Sequence, residues 1–367
     1  ATTSQAPPSA LTFPRPIFAA VSPHPFLQAH LSASQTRQRA NGRSAQEFRA
    51  PLVNTGSLTH CHGSAVVRLG NTSVVCGIRG EILKEEDAQG YTYTPTTTSS
   101  NANDDNDEDD DGDLEEETHE ISTLRLLVPN VELSTGSTPN HIPSNAPSSV
   151  AQTLITRLRS LLLSTSLIRA RDLRILYTPP LSSDATPAAE QDDPPAELKA
   201  YWTLYMDVFF ISIDGNAFDA AWLGILAALQ NTRLPRAEWD PEYETILCDD
   251  DPAAARALRL RGLPVPASFA VFEAPPPCGG EWDESGEEEG GDGDHWVLCD
   301  PDAFEESVCR EGVCVVVDCG KGKKAGPGDM VVRRVEKSGG GVVGREEMRG
   351  LVKRAVERWE VVRKVLG

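Results

Sequence analysis

The longest apolar pattern of the chain lies between residues 201 and 229. The run "YWTLYMDVFFISI" is rich in aromatic and β-branched side chains and is too apolar for an exposed edge strand. An Asp-Gly turn follows at Asp214, and an almost wholly apolar helix then continues to Leu229. This order predicts a buried strand, a tight turn and a buried helix at the centre of the first half of the fold.

A second pattern predicts a β-hairpin. The valine-rich runs "GSAVVRL" and "TSVVCGIRGEI" flank Gly70 and Asn71, residue types that are typical of a short hairpin loop. Farther along the chain, "PASFAVF", "WVLCDP" and "SVCREGVCVVVD" predict the strands of a second sheet. The glycines of Gly339–Gly344 predict a linker into the last helix rather than a dinucleotide-binding loop.

Three segments have the periodicity of helices with one apolar face. The short N-terminal segment "SPHPFLQAHLSA" has Ser22 at the capping position and Pro23 at the first helical position, with an apolar side formed by Phe26, Leu27 and Leu31. A helix over Ser149–Ser164 is predicted from Val150, Leu154, Leu158, Leu161 and Leu162. The C-terminal helix has acids in its first turn and bases in its last, and its apolar face comprises Met348, Leu351, Val352, Ala355, Val356, Trp359, Val362 and Leu366.

Changes in composition predict the organisation of the 367 residues. Residues 1–38 are rich in Pro, Ser, Thr and Ala and are expected to form a flexible arm with one short helix. Two β-α subdomains are expected at 39–234 and 235–367. Acidic or Pro-rich loop insertions are expected at about 84–120, 179–195 and 275–295. Removal of the acidic run Asp104–Glu117 is therefore expected to change stability little.

The net charge of -21 is concentrated in two short runs. Asp104–Glu117 contains eleven acids and Glu281–Asp294 contains eight, so the rest of the chain has a net charge of only -2. Acidity therefore does not exclude an RNA partner. No apolar run approaches the length of a membrane span, and the N-terminus lacks the pattern of a signal peptide, so we expect no membrane association.

The sequence lacks the motifs of common catalytic and metal sites. The eight cysteines include no C-x-x-C pair, and several lie in valine-rich strands, so we interpret them as reduced core thiols rather than zinc ligands. No P-loop, H-E-x-x-H or G-x-S-x-G motif is present. The turn before the apolar helix could cradle a phosphate, since the first turn of a helix has unpaired N–H groups. That turn has no basic or hydroxyl side chain, and it contains Asp219.

Taken together, these segments resemble the RNase PH-type subunits of the RNA exosome. The resemblance begins near Arg39 and rests on "RANGRSAQEFR", "GSLTHCHGSAVVRLGNTSVVCGIRGEI", "VPNVEL", "LYMDVFFISIDGNAFDAAWLGILAAL", "PASFAVF" and "LCDP". It implies the RNase PH fold, an α+β fold of two related β-α subdomains, used in a six-membered ring.

The resemblance also implies that a phosphate site has degenerated. In active members the turn reads roughly Asp-Gly-Gly-Thr-Arg-Thr-Ala and holds the attacking phosphate, whereas here the matching residues are Asp214–Ala220. At the vestigial position Phe218 an apolar ring replaces the guanidinium. Asn216 is a second vestigial position. At a third, Asp219, we expect the carboxylate to cap the helix N–H groups and to repel phosphate.

Further expected site residues follow from the same resemblance. Asp300 matches the first catalytic acid of the family and Glu306 lies about where the second would be, and we interpret both as vestigial or structural rather than as magnesium ligands. Active subunits grip RNA with arginines after the strand that matches "LLVPNVEL", but Val128–Ile155 contains no Arg or Lys. The candidates for RNA binding are Arg37, Arg39, Arg43 and Arg68.

The function that the resemblance implies is a non-catalytic structural subunit of the exosome ring, which supports 3′-to-5′ RNA processing and degradation, including rRNA maturation, by assembly and RNA channelling. The implied partners are other RNase PH-like ring subunits, OB-fold/KH cap subunits, a hydrolytic nuclease subunit and RNA, in the nucleus, nucleolus and cytoplasm. No cofactor and no metal are implied. Two alternatives stay open: an active phosphorolytic 3′-to-5′ exoribonuclease with Asp300 as the acid, and an acidic chaperone for basic proteins.

Overall fold

The computed structural model describes residues 14–33, 37–88, 91, 111–139, 141–142, 148–179, 196–273, 295–319 and 330–367. Within these ranges the chain forms two main β-sheets with helices between and beside them, so the predicted α+β class is confirmed. In the same ranges, no helix is both long enough and apolar enough to cross a membrane.

The elements follow one another in an order that keeps the two main sheets separate along the chain. The helices are α1 (Arg15–Val21), α2 (Pro23–Ser32), α3 (Asp111–Leu124), α4 (Ser149–Thr165), α5 (Ala170–Leu173), α6 (Ala217–Asn231), α7 (Ala303–Val308) and α8 (Arg345–Leu366), with a 3-10 turn at Glu85–Asp87. The strands are β1 (Pro51–Thr55), β2 (Gly63–Leu69), β3 (Thr72–Lys84), β4 (Leu127–Leu133), β5 (Arg174–Tyr177), β6 (Glu197–Ser212), β7 (Arg233–Leu234), β8 (Ala237–Asp240), β9 (Thr245–Cys248), β10 (Arg256–Ala257), β11 (Val265–Glu273), β12 (His295–Cys299), β13 (Glu311–Cys319) and β14 (Met330–Ser338).

The first sheet is built around the predicted hairpin. Its strand order is β1-β2-β3-β6-β4, and β5 also pairs with β6. Leu69 lies opposite Thr72, so Gly70 and Asn71 form a two-residue loop, as the pattern predicts. Gly70 has a φ of +61°, a left-handed conformation that favours glycine. β4 pairs with β6 in parallel, and the other pairs of this sheet are antiparallel.

The second sheet has the order β12-β11-β13-β14, and all its pairs are antiparallel. Strand β13 begins at Glu311, whereas the sequence pattern predicts a strand from Ser307. That prediction is wrong because Asp302 caps α7 in a reciprocal pair of hydrogen bonds with Glu305, which makes the residues after Asp302 helical. Strand β14 is an exposed edge strand whose mixture of charged and apolar residues gives no clear period.

Helices α6 and α8 fill the space between the two sheets. α6 is apolar on every side because it packs on β2 and β3 of the first sheet and on β11 of the second. The indole N–H of Trp222 donates to the carbonyl of Pro264 at 2.7 Å, so its one polar atom is satisfied. α8 packs on β11 and β13, and the buried part of its predicted face comprises Leu351, Ala355, Trp359 and Val362.

Helix α4 packs beside the first sheet with a slightly different face from the predicted one. Ser148 caps the helix, since its hydroxyl accepts the N–H of Ala151. The buried residues are Ala151, Leu154, Leu158, Leu161 and Leu162. Val150 was predicted to lie on this face but is 52% exposed, because the apolar stripe passes through position 151.

The N-terminal segment is not simply a flexible arm. The predicted helix is present as α2, and α1 precedes it without a clear signal in the sequence. Leu27 and Leu31 are buried against β11 and β12 of the second sheet, where they contact a cluster that includes Phe272 and Trp296. Ser22 occupies the capping position but makes no hydrogen bond through its side chain. Residues 1–13 and 34–36 lie outside the described residues.

The first predicted loop insertion is wrong for its second half. Residues 111–124 form α3, whose inner side buries Ile121, Leu124 and Glu120. The guanidinium of Arg174 donates to both carboxylate oxygens of Glu120, and Arg261 donates to Glu117. Part of the acidic run is therefore integrated into the fold, which removes the basis for expecting its deletion to be harmless. Residues 89–90, 92–110, 180–195 and 275–294 of the predicted insertions lie outside the described residues.

We predict that Glu120→Ala lowers the free energy of unfolding by about 3 kcal/mol, because it leaves the guanidinium of Arg174 without its buried partner. Urea-induced unfolding followed by circular dichroism measures this change. Glu116→Ala is the matched control, since Glu116 is exposed on the same helix and its loss should cost less than about 0.5 kcal/mol. Equal effects of the two substitutions would contradict the structural role of Glu120.

Candidate functional site at the first turn of α6

The turn between β6 and α6 is held by both subdomains. Thr72, at the start of β3, donates its hydroxyl to the carbonyl of Gly215 and accepts the N–H of Asp214. From the second subdomain, the backbone at Asp302 approaches so closely that a Cβ on Gly215 would lie 2.4 Å from its carbonyl carbon. Gly215 also has a φ of +70°, so both the space and the backbone conformation require glycine there.

Asn216 joins three carboxylates that the sequence places far apart. Its backbone N–H donates to Oε1 of Glu306 at 2.7 Å. Its side-chain amide donates to Oδ2 of Asp219 at 2.9 Å and to Oδ1 of Asp300 at 2.6 Å. Four of the five vestigial positions named from the sequence therefore meet in one cluster, which we call the Asn216 cluster.

At the N-terminus of α6, the carboxylate of Glu306 accepts a backbone N–H. The expectation that Asp219 caps the helix is wrong, because its carboxylate points to Ser268 on β11, where it accepts the backbone N–H at 3.1 Å and the hydroxyl at 2.7 Å. Glu306, on α7, accepts the N–H of Asn216 instead. An anion-binding position of the helix is thus filled by a side chain of the chain itself.

Burial governs the ionisation of Asp219. Its side chain is only 1% exposed, and this burial raises the pKa of its carboxyl to about 6, although the hydrogen bonds from Asn216 and Ser268 partly oppose the rise. Proton binding by Asp219 is therefore favoured by folding. Ionisation of Asp219 should lower the stability of the fold, because the cost of a desolvated charge exceeds the gain from stronger hydrogen bonds to the carboxylate.

Asp300 is held by Arg49, a residue that the sequence interpretation missed. Nε and Nη2 of Arg49 donate to the two oxygens of Asp300 at 2.8 Å each, and the backbone N–H of Arg49 donates to Oδ2 at 2.9 Å. Burial opposes ionisation of Asp300, but the hydrogen bonds and charge of Arg49 outweigh it and hold the pKa below its ordinary value. Arg49 lies in the quoted segment "RANGRSAQEFR", but nothing local in the sequence marks its partner.

Two of the four arginines proposed for RNA binding are used inside the protein. Arg39 is only 2% exposed, and its guanidinium donates to Glu305 and to the carbonyls of Ala45 and Cys299, so the prediction that it contacts RNA is wrong for this structure. Arg43 lies 3.5 Å from Asp300 with little of its side chain exposed. The other two, Arg37 and Arg68, are exposed and lie outside the Asn216 cluster.

A second missed residue is Arg358, on α8. It is 3% exposed, donates to the carbonyl of Arg49 and lies over the ring of Phe48. Burial lowers the pKa of its guanidinium, and the charges of Asp300 and Asp219 act against this. The sequence contains a signal for this buried arginine. Position 358 lies between Ala355 and Val362 on the apolar stripe of α8, and a cation buried there needs a partner.

The fifth vestigial position, Phe218, lies beside an open groove of about 660 Å³ next to the Asn216 cluster. Phe218 is 4% exposed, and the guanidinium of Arg157 from α4 stacks on its ring with 3.9 Å between Cζ and the ring centre. Arg157 also donates to Glu336 on β14 at 2.8 Å. A guanidinium is therefore present near the position from which the family's arginine is missing, but a carboxylate already pairs with it.

The cysteines and acids of the described ranges form no group of three or more side chains suited to hold a metal ion. Cys76, Cys299 and Cys314 are buried thiols, and the cysteines within these ranges form no disulfide. The oxygens of Asp300 are already taken by Arg49 and Asn216. Chemically, the Asn216 cluster is a set of hydrogen-bonded carboxylates, of which Asp300 is also paired with Arg49, and it joins the two subdomains.

Comparison with known proteins agrees with this architecture. A family model described as "3′ exoribonuclease family, domain 1" (RNase_PH) matches residues 47–235. The exosome complex component rrp43 of Schizosaccharomyces pombe is 30% identical over 311 residues, which cover 85% of this chain and 86% of that protein. The exosome complex component Rrp42 of Thermococcus gammatolerans is 22% identical over 330 residues, which cover 90% and 89% of the two chains.

Two solved structures have the same fold. A chain of the Archaeoglobus fulgidus exosome with RNA bound to the active site superposes with a TM-score of 0.60 at 19% identity, covering 96% of this chain and all of the other. A chain of an archaeal exosome core gives a TM-score of 0.54 at 18% identity, covering 96% and 98%. The predicted RNase PH fold is therefore confirmed.

We predict that Asp219→Asn changes how stability depends on pH. Because folding raises the pKa of Asp219, its stabilising contribution is complete below about pH 4 and is lost as the pH rises through about 6. Between pH 4 and 7 the unfolding free energy of wild type should therefore fall by about 3 kcal/mol relative to the variant. Urea unfolding at a series of pH values measures this difference.

Asp207→Asn is the control for this measurement, because Asp207 is an exposed carboxylate on the preceding strand. Its pH profile should run parallel to that of wild type. A parallel profile for Asp219→Asn as well would contradict a raised pKa at the buried position.

Proposed function

The chain belongs to the RNase PH family of 3′ exoribonuclease domains, and we propose that it is a non-catalytic subunit of an RNA exosome ring. Support comes from the exosome component of Schizosaccharomyces pombe, which matches 85% of the chain, and from the exosome structures that share its fold. Its role is to help form the ring that passes RNA to a nuclease in 3′-to-5′ processing and degradation.

The proposal that the chain is non-catalytic rests on one contact, the hydrogen bond from the backbone N–H of Asn216 to Glu306. A phosphate at the first turn of α6 would have to displace this carboxylate and would then lie beside Asp219 and Asp300. Repulsion between these like charges in a largely buried place disfavours such binding. Phe218 adds no donor, and Arg157 is already paired with Glu336.

Assembly is supported by apolar side chains that the described part of the chain leaves in solvent. Val331, Val332 and Val335 are each more than 40% exposed on the edge strand β14, and Phe209 and Ile211 are similarly exposed on β6. An open strand edge with apolar side chains is suited to pairing with a neighbouring subunit. We propose the other RNase PH-like subunits as these neighbours.

The remaining partners extend the same proposal. OB-fold/KH cap subunits, a hydrolytic nuclease subunit and RNA complete the assembly, because a ring without its own chemistry needs a nuclease elsewhere. The locations that fit this assembly are the nucleus and cytoplasm, and the nucleolus for rRNA maturation.

We predict that an affinity-tagged copy of the chain, expressed in its own cells, co-purifies with several other RNase PH-like subunits. Mass spectrometry of the eluate identifies them, and an untagged culture provides the control. Recovery of the chain as a stable monomer, with none of these subunits, would contradict the ring assignment.

We also predict that neither the wild-type chain nor the variant Phe218→Arg with Asp219→Thr releases nucleoside diphosphates from RNA in the presence of inorganic phosphate. The variant restores a cation, but Glu306 still occupies the N–H of Asn216. Correct positioning of phosphate and RNA would otherwise contribute about 7 to 11 kcal/mol to lowering the barrier. Thin-layer chromatography of labelled RNA measures the products, and phosphate-dependent diphosphate release by wild type would identify an active phosphorolytic enzyme.

A further inference from the structure

A second groove, of about 770 Å³, lies beside β5 and the β7–β10 pair and shares no lining residue with the groove beside Phe218. Five arginines line it, and we call it the arginine groove: Arg171, Arg174, Arg236, Arg256 and Arg259. Among the described residues of this lining, the carboxylates are Asp172 and Glu238 alone. In a chain with a net charge of -21, this is a local excess of positive charge.

The floor of the groove is apolar and packed. Ile175, Trp202, Leu234 and Leu258 lie there, and each is less than 9% exposed. Backbone pairing of β7 with β10 places Arg256 opposite Leu234, so a sheet ribbon holds part of the rim. The arginines are therefore presented by ordered elements rather than by a loose tail.

Most of the arginines in this groove are open to solvent. Arg174 is bound to Glu120 and serves the fold, but Arg171, Arg236, Arg256 and Arg259 are exposed. Arg236 contacts Glu238 in a pair whose side chains are both more than half exposed. A surface pair of this kind contributes little free energy, so an external anion can take the place of the carboxylate.

The arrangement differs from that of the arginines near the Asn216 cluster. Arg39 and Arg49 are largely buried, and their guanidinium N–H groups donate to carboxylates and carbonyls inside the protein. In the arginine groove, by contrast, Arg236, Arg256 and Arg259 are exposed residues. A guanidinium has a planar set of donors that matches a phosphate group bidentately.

We propose that the arginine groove binds the phosphate backbone of single-stranded RNA without reading its sequence. Trp202 is only 6% exposed in the floor, so it gives no open ring on which a base could stack. The choice of RNA over an acidic peptide rests on the proposed function, since an exosome subunit meets RNA. The contact is with phosphates, and it lies away from the degenerate site.

The test uses the full chain and a fluorescein-labelled oligouridylate of about 20 nucleotides, longer than a typical single-strand site. Fluorescence anisotropy at several NaCl concentrations gives the affinity and its dependence on salt. The groove variant is Arg256→Ala with Arg259→Ala. The control is Arg345→Ala with Arg349→Ala, which removes two exposed charges from α8.

We expect the groove variant to bind about tenfold more weakly, with a salt slope smaller by about 1.4, because each lost phosphate contact on a single strand removes about 0.7. The control should stay within about twofold of wild type. Arg256→Lys with Arg259→Lys should keep the wild-type slope, since it keeps both charges, and this result would assign the change in slope with alanine to the lost charges.

Equal affinity and slope for the groove and control variants would overturn the proposal. Binding of polyglutamate but not of oligouridylate would also overturn it, in favour of an acidic peptide. Co-purification with other RNase PH-like subunits is measured in parallel. A groove variant that loses RNA but keeps these subunits supports the groove, whereas failure of wild type to co-purify counts against the ring role and leaves the RNA measurement to decide the groove.

Discussion

The buried ion pair between Arg49 and Asp300 is the contact on which the centre of this protein depends. Arg49 lies just before β1 and Asp300 just after β12, so the pair joins the first subdomain to the second. Its geometry also fixes Asn216, because the Asn216 amide donates to the same carboxylate. Removing either partner would leave a buried charge without compensation, which is among the most costly defects a protein interior can have.

Around this pair, further polar and charged groups make contacts inside the protein. Glu306 accepts from the first turn of α6, Asp219 accepts from Ser268, and Arg358 donates to the backbone of Arg49. Each contact crosses between elements that are distant in sequence. The turn before α6 is therefore better understood as a joint between subdomains than as an empty pocket, because its polar residues make hydrogen bonds with one another.

Elsewhere in the protein, too, some charged side chains are paired inside the fold and others are exposed to solvent. Part of the acidic run folds into α3, where Glu117 and Glu120 pair with Arg261 and Arg174. This helix uses one arginine of the groove for the fold and leaves the others facing solvent. An acidic chain can in this way present a basic surface, because short-range pairing rather than net charge decides which groups an external ligand meets.

The sequence by itself determined the features that repeat over a few residues. The hairpin at Gly70, the apolar helix α6 and the striped helix α8 follow from periods of 2 and 3.6 and from turn residues, and the segments that contain the hairpin and α6 resemble the RNase PH family. Only the tertiary structure decided which polar groups meet. Glu306 rather than Asp219 fills the first turn of α6, and Arg39 lies inside the protein, because their partners are about 90 and 266 residues away and are brought near by packing. A local pattern encodes which face of an element is buried, but the partner of a buried charge depends on how whole elements pack against one another.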